Sequence, residues 1–228
     1  MPAALRSWLL ALLTITYLVS AHIGISDASR AATVFATTAL AALFVLTISR
    51  PVPKAVAAAA GVAAVVAIAR GAPPVPLLLP PVLIPAGIAW MFGRTLKTGR
   101  RALVERIARG FHAPAVPAPR ILAYARRVTW AWTLLLSTVA LVNLWLVVNL
   151  VPGGIADVLG AHTAWPVAPL VFVWFANTGT YLIIGAMFIV EFSIRLWRFP
   201  DYRFRNPVAF AREARTRLPN IVEALRDE

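Results

Sequence analysis

The sequence predicts an all-α polytopic membrane bundle, with about six transmembrane helices plus a cytoplasmic interfacial amphipathic helix. Three observations predict it. The 228 residues are 60% hydrophobic, with a mean hydropathy of +0.77, above the roughly 45–50% apolar content of a soluble domain. The apolar residues gather in runs of membrane length. Of 22 Lys and Arg, 20 fall in four segments that alternate with those runs: the N-terminus, 50–54, 94–127 and the tail after 192. Only Arg30 and Arg70 lie elsewhere. That alternation is the positive-inside pattern of a multi-pass membrane protein.

The spans are read in order as 7–23, 31–48, 55–69, 75–92, 128–151 and 167–192. The first follows a charged stretch containing Arg6 but offers no A-x-A cleavage site, so it reads as a retained helix rather than a signal peptide. The second is closed by Ser49-Arg50-Pro51. The third is short, and its small residues (Ala57 to Ala60, Gly61, Ala63, Ala64) allow helix backbones to approach closely. The fourth contains or abuts Pro73, Pro74, Pro76, Pro80, Pro81 and Pro85. Each interior proline removes a backbone donor and crowds the preceding turn. Broken backbone in hydrocarbon must be buried in protein or line a cavity. Two readings stay open for it: a broken helix, or an outer loop to Pro81 followed by a short helix over 82–92. Pro152-Gly153-Gly154 ends the fifth span.

An even number of spans puts both termini on one side, and the charges make that side the cytoplasm. Positions 93–127 then form a basic cytoplasmic loop and 193–228 a basic cytoplasmic tail. Within the loop, Leu96, Leu103, Ile107 and Ala108 fall on one side of a helix expected over 94–109, and Gly110 ends it. Lys97, Arg100, Arg101, Arg106 and Arg109 crowd the rest, which suits a helix lying on anionic headgroups.

The net charge of +13 raises nucleic acid as a partner, but these basic residues flank membrane spans, so no nucleic acid is expected. With no cysteine there are no disulfides, no thiolate chemistry and no Cys-ligated metal. His22, His112 and His162 are isolated, and no metal-ligand spacing, P-loop, dinucleotide fingerprint or nucleophile elbow occurs. No metal or cofactor is expected.

The chemistry that remains lies at the cytoplasmic span ends. In the sixth span, Asn177, Tyr181, Ile184, Phe188, Glu191, Arg195 and Arg198 follow steps of four and three, which puts them on one face, expected to be interior. Glu191 and Arg195 form an i,i+4 pair in the favourable order. The bland reading is an ion pair anchoring the helix end; the sharper one is a site open to the cytoplasm. In the fifth span, Trp130, Thr133 and Ser137 share a face, Asn143 lies deeper, and Arg126 and Arg127 sit one turn before the tryptophans. This is either an interfacial anchor or part of an anion site. The candidate anion or phosphate ligands are Arg94, Thr95, Arg126, Arg127, Arg195 and Arg198, because guanidinium groups bind phosphate bidentately. Glu191 and His112 are the weak catalytic candidates, with Glu191 read as an organiser of the arginines rather than a general acid.

Three stretches carry a resemblance: WMFGRTLKTGRRALVERIAR from Trp90, YARRVTWAW from Tyr124, and MFIVEF from Met187 followed by RFPDY from Arg198. Together they resemble a family of small bacterial integral membrane proteins found in clusters for aryl polyene and xanthomonadin-type pigments, some labelled ketosynthase-like. The resemblance covers roughly 82–202. It implies a Gram-negative inner membrane and a pathway that builds acyl chains on carrier proteins. A thiolase-type ketosynthase needs a nucleophilic cysteine, and this chain has none, so a cysteine-dependent condensation is excluded.

The first reading is therefore an inner-membrane accessory protein of aryl-polyene-type lipid or pigment synthesis. Its partners would be membrane lipids, an acyl carrier protein and soluble biosynthetic enzymes. A membrane-embedded acyl or phospho-group transferase with a cytoplasmic-facing site is the alternative. A transporter or flippase of the lipid product comes third.

Overall fold

The structure, a computed structural model, describes residues 3–26, 29–48, 50–112, 117–199 and 216. Most of the tail expected over 193–228 lies outside them. The regular elements are helices: α1 (Ala3–Ser26), α2 (Arg30–Thr47), α3 (Pro51–Ala69), α4 (Val75–Leu78), α5 (Pro80–Gly93), α6 (Leu103–His112), α7 (Pro119–Asn149), α8 (Ile155–Val158), α9 (Pro169–Trp174) and α10 (Thr180–Arg198). A π-helical turn, Phe175–Gly179, joins α9 to α10. Among the described residues, five segments are long and apolar enough to cross a membrane: α1, α2, α3, α7, and the run from α9 through α10. The chain is an all-α, membrane-embedded bundle.

Several spans are longer than the sequence suggests, α3 and α7 among them. α3 begins at Pro51 rather than at 55. Pro51 and Pro53 sit in its first turn, where a missing N–H costs nothing. α7 begins at Pro119 for the same reason and runs 31 residues. The fourth span is in two pieces. α4 ends at Leu78, and α5 restarts at Pro80 after a bend at Leu79. At 14 residues, α5 covers about 21 Å, less than the roughly 30 Å of hydrocarbon. Of the two readings, the broken helix is the one found. The break is covered by protein: Leu77 packs in a cluster with Ala21 and Ala36, while Leu78 and Val82 pack with Leu146, Val147, Val167 and Phe172.

The described residues fall into two compact units. The first takes α1 to α4, α5 to Val82, α7 from Val142, then α8, α9 and the π turn to Gly179. Its first three helices meet through small residues. A Cβ on Gly24 would lie 2.7 Å from Cγ2 of Thr33, and one on Gly61 would lie 2.6 Å from Cβ of Ala41. The small-residue reading of the third span thus finds its contact at Gly61, while Ala59, Ala60 and Ala63 are exposed.

The second unit takes α5 from Leu83, α6, α7 to Leu141, and α10. Its apolar centre is Ala89, Val128, Trp132 and Leu136, flanked by Phe92, Val104, Ile184 and Met187. Along α7 within this unit the buried positions step by four and three: Ala125, Thr129, Trp132, Leu136 and Val139. The opposite stripe is exposed and topped by Arg127 and Trp130, with Leu134, Leu141 and Trp145 beyond.

The sixth span corrects the expected interior face. Asn177, Tyr181 and Phe188 are exposed. The side turned inward is Thr180, Ile184, Met187, Glu191 and Arg195. Within α10, the inward positions 180 and 187 replace the expected 181 and 188. Hydrophobicity does not separate these choices, because both lipid and core are apolar.

Candidate functional site

The polar chemistry of the second unit is built where α6 lies against α7 and α10. The loop before α6 is not the helix expected over 94–109. A 3-10 turn, Arg94–Leu96, leads into an open turn in which Gly99 has φ +82°. That left-handed position is easy only for glycine, so a helix cannot run through it. α6 starts at Leu103, and Gly110 lies buried inside it rather than ending it.

Helix N-termini leave N–H groups without partners in their own helix. Here two threonines from outside α6 supply them. Oγ1 of Thr95 accepts from the N–H of Leu103 (3.0 Å), and Oγ1 of Thr129 accepts from the N–H of Val104 (3.2 Å). Each hydroxyl in turn donates to a carbonyl, Phe92 at 2.6 Å and Ala125 at 2.9 Å. The guanidinium of Arg126 completes the tie, donating to the carbonyls of Leu96 (2.8 Å) and Arg100 (3.1 Å).

So placed, α6 turns Val104, Ile107, Ala108 and Phe111 inward at i, i+3, i+4 and i+7, toward Tyr124 and Ala125 of α7. Its apolar face is therefore packed on protein, where the sequence suggested a headgroup layer. Glu105 on its flank is held by Arg109 at 3.1 Å.

Beneath α6 lies a cavity of about 70 Å³, lined by those four residues with Ile121, Tyr124, Ala125, Glu191, Arg195 and Phe199. It has room for about two waters or a short alkyl end. One wall is polar. Glu191 is buried, and Arg195 grips its carboxylate through Nε at 3.0 Å and Nη2 at 2.6 Å from both oxygens. The hydroxyl of Tyr124 donates toward Oε1 and the main-chain carbonyl of Glu191, each at 3.3 Å. Phe199 packs edge-on against Tyr124 with ring centroids 5.4 Å apart. Arg120 stands 5.9 Å over the Phe199 ring. With one guanidinium fork and one phenol on it, the Glu191 carboxylate fixes Arg195 and Tyr124 along the cavity wall.

The six candidate anion ligands do not form one cluster. Arg195 is paired with Glu191. Thr95 is buried and Arg126 is tied to two carbonyls, so both hold the loop. Arg94 is exposed and stands 4.9 Å over the Trp90 ring. Arg127 and Arg198 are exposed. His112 closes α6, and its side chain is outside the described residues. Sequence reasoning missed the roles of Tyr124, Thr129 and Phe199. Their partners are distant in the chain, and no local spacing signals them. The Trp90–Arg94 stack was readable as an i,i+4 pair. Among the described residues no group of three or more His, Asp or Glu could hold a metal. Comparison with protein-family models, with curated proteins and with solved structures gives no match to this chain.

Proposed function

We propose that the protein is an accessory component of aryl-polyene-type lipid or pigment synthesis in a bacterial inner membrane. It assembles carrier-bound acyl intermediates at a basic cytoplasmic surface. The observation that carries this reading is the charge of the second unit. Its two described carboxylates, Glu105 and Glu191, are each held by an arginine four residues on. Lys97, Arg100 and Arg101 are meanwhile exposed on the turn before α6. Such a surface favours encounter with an acidic protein, and acyl carrier proteins are acidic. Arg106 is a poorer docking residue, being half-buried. The test is co-purification with acyl carrier protein. Changing Lys97, Arg100 and Arg101 together to Gln should abolish capture, and raising the salt should do the same to the parent chain. Undiminished capture by the triple variant rejects the reading.

The orientation follows if the broken fourth span also crosses. Reporter fusions after Gly160 then read periplasmic, and fusions after Gly110 and Glu228 read cytoplasmic. A periplasmic signal at Gly110 would mean that α4 and α5 do not cross.

A second reading, a transferase with a cytoplasmic-facing site, draws on the cavity bounded by Tyr124, Glu191 and Arg195. If Glu191 is a base, Glu191→Gln abolishes product while the protein still accumulates. If it only orients Arg195, Arg195→Ala costs far more than Glu191→Gln. The transporter reading gains nothing from Asn177 and Tyr181, whose side chains are exposed.

A further inference from the structure

Two helices of the second unit end their outward faces in the same way. On α5 the exposed stripe runs from Leu83 through Gly87 and Trp90 to Arg94, one turn beyond the indole. On α7 it runs in the opposite chain direction through Leu141, Leu134 and Trp130 to Arg127. Trp90 is 65% exposed and Trp130 50%, so neither indole is a core residue. The two helix ends stand at matching depth. Ala89 and Phe92 pack in one cluster with Val128 and Trp132, and Arg126 bonds the carbonyl of Leu96. An exposed indole marks the boundary of hydrocarbon, and a guanidinium one turn beyond it sits at the depth of lipid phosphates. The Arg94 guanidinium is held over Trp90 at 4.9 Å and is exposed.

We propose that Arg94, held over Trp90, and Arg127, one turn before Trp130, bind the phosphodiester headgroup of an anionic membrane lipid whose acyl chains lie along Leu83 on α5 and Leu134 on α7. The occupant is a lipid rather than a soluble anion because the cationic edge continues into an exposed apolar stripe on both helices. A soluble protein partner would leave those stripes uncovered. The site is independent of the carrier-docking reading, which rests on Lys97, Arg100 and Arg101.

The test is native mass spectrometry of the full chain in detergent, titrated with phosphatidylglycerol or phosphatidylcholine. The parent chain should retain phosphatidylglycerol over phosphatidylcholine by about ten-fold, a typical worth for charge-assisted phosphate contacts. The Arg94→Gln, Arg127→Gln pair should lose that preference. Lys97→Gln with Arg100→Gln should keep it. A preference that survives the first pair, or falls equally with the second, overturns the proposal, the latter because diffuse charge would then suffice. If the Gln pair does not accumulate folded, the Arg94→Lys, Arg127→Lys pair decides. It keeps the charge but loses the fork, so phosphatidylglycerol binding should fall about three-fold with phosphatidylcholine unchanged. No fall overturns the proposal. Capture of an acidic carrier protein that is lost with Arg94 and Arg127, while lipid retention stays intact, also overturns it.

Discussion

The two units hold their helices together by different means. In the first, α1, α2 and α3 approach through missing side chains: Gly24 admits Thr33, and Gly61 admits Ala41. In the second, side chains reach across: Thr129 of α7 to Val104 of α6, Thr95 to Leu103 at the start of α6, Arg126 of α7 to Leu96 in the turn before it, and Tyr124 of α7 to Glu191 of α10. Close approach depends on shape alone and tolerates lipid on every other face. Polar ties require each donor and acceptor to be matched, because an unmatched one in a dry setting costs about 1–3 kcal/mol. The second unit thus rests on a few matched polar ties, and the first on close backbone approach.

The largest expected effect tests the polar side of this contrast. Glu191→Ala should destabilise the chain by about 3 kcal/mol, because it leaves Arg195 without its counter-charge in a largely buried site. Replacing the pair together, Glu191→Met with Arg195→Leu, should recover most of that loss. Thermal unfolding of the detergent-solubilised chain reads both. If the double variant is as unstable as the single one, burial of the pair is not what sets the cost.

Next comes the shape side. Gly61→Val should cost about 1–3 kcal/mol through overpacking against Ala41. Gly87→Ala, which meets nothing within 4 Å, should be neutral or slightly stabilising, by about 0.5 kcal/mol. Equal melting shifts for the two would mean that close approach does not hold α2 to α3.

The smallest effect is local. Thr129→Val removes one cap of α6 and should cost about 1 kcal/mol. Amide exchange should quicken at Leu103 and Val104 while the middle of α7 stays protected. Global acceleration instead would mean that Thr129 supports the whole unit rather than the start of α6 alone.

What the sequence revealed follows the range of each interaction. Five of the six expected spans and the Glu191–Arg195 pair were legible because each is written in neighbouring residues. The start of α3 was misread because Pro51 and Pro53 look like breakers unless they occupy a first turn. The helix before Gly110 was misplaced because Gly99 looks ordinary until its backbone is seen at positive φ. Tyr124 lies 67 residues from Glu191, and Thr129 25 residues from Val104. Nothing in hydrophobic periodicity pairs positions so far apart.

The broken fourth span has a consequence for the order in which the protein is made. A 14-residue helix preceded by a bend at Leu79 is too short to settle in hydrocarbon on its own. Leu77 can dock at once against α1 and α2, which leave the ribosome first. Leu78 and Val82 must wait for Leu146, Val147 and Phe172, synthesised more than sixty residues later. Between those moments the span is half sheltered. Its final seating is a late event of assembly, completed by the C-terminal half of the chain rather than at insertion.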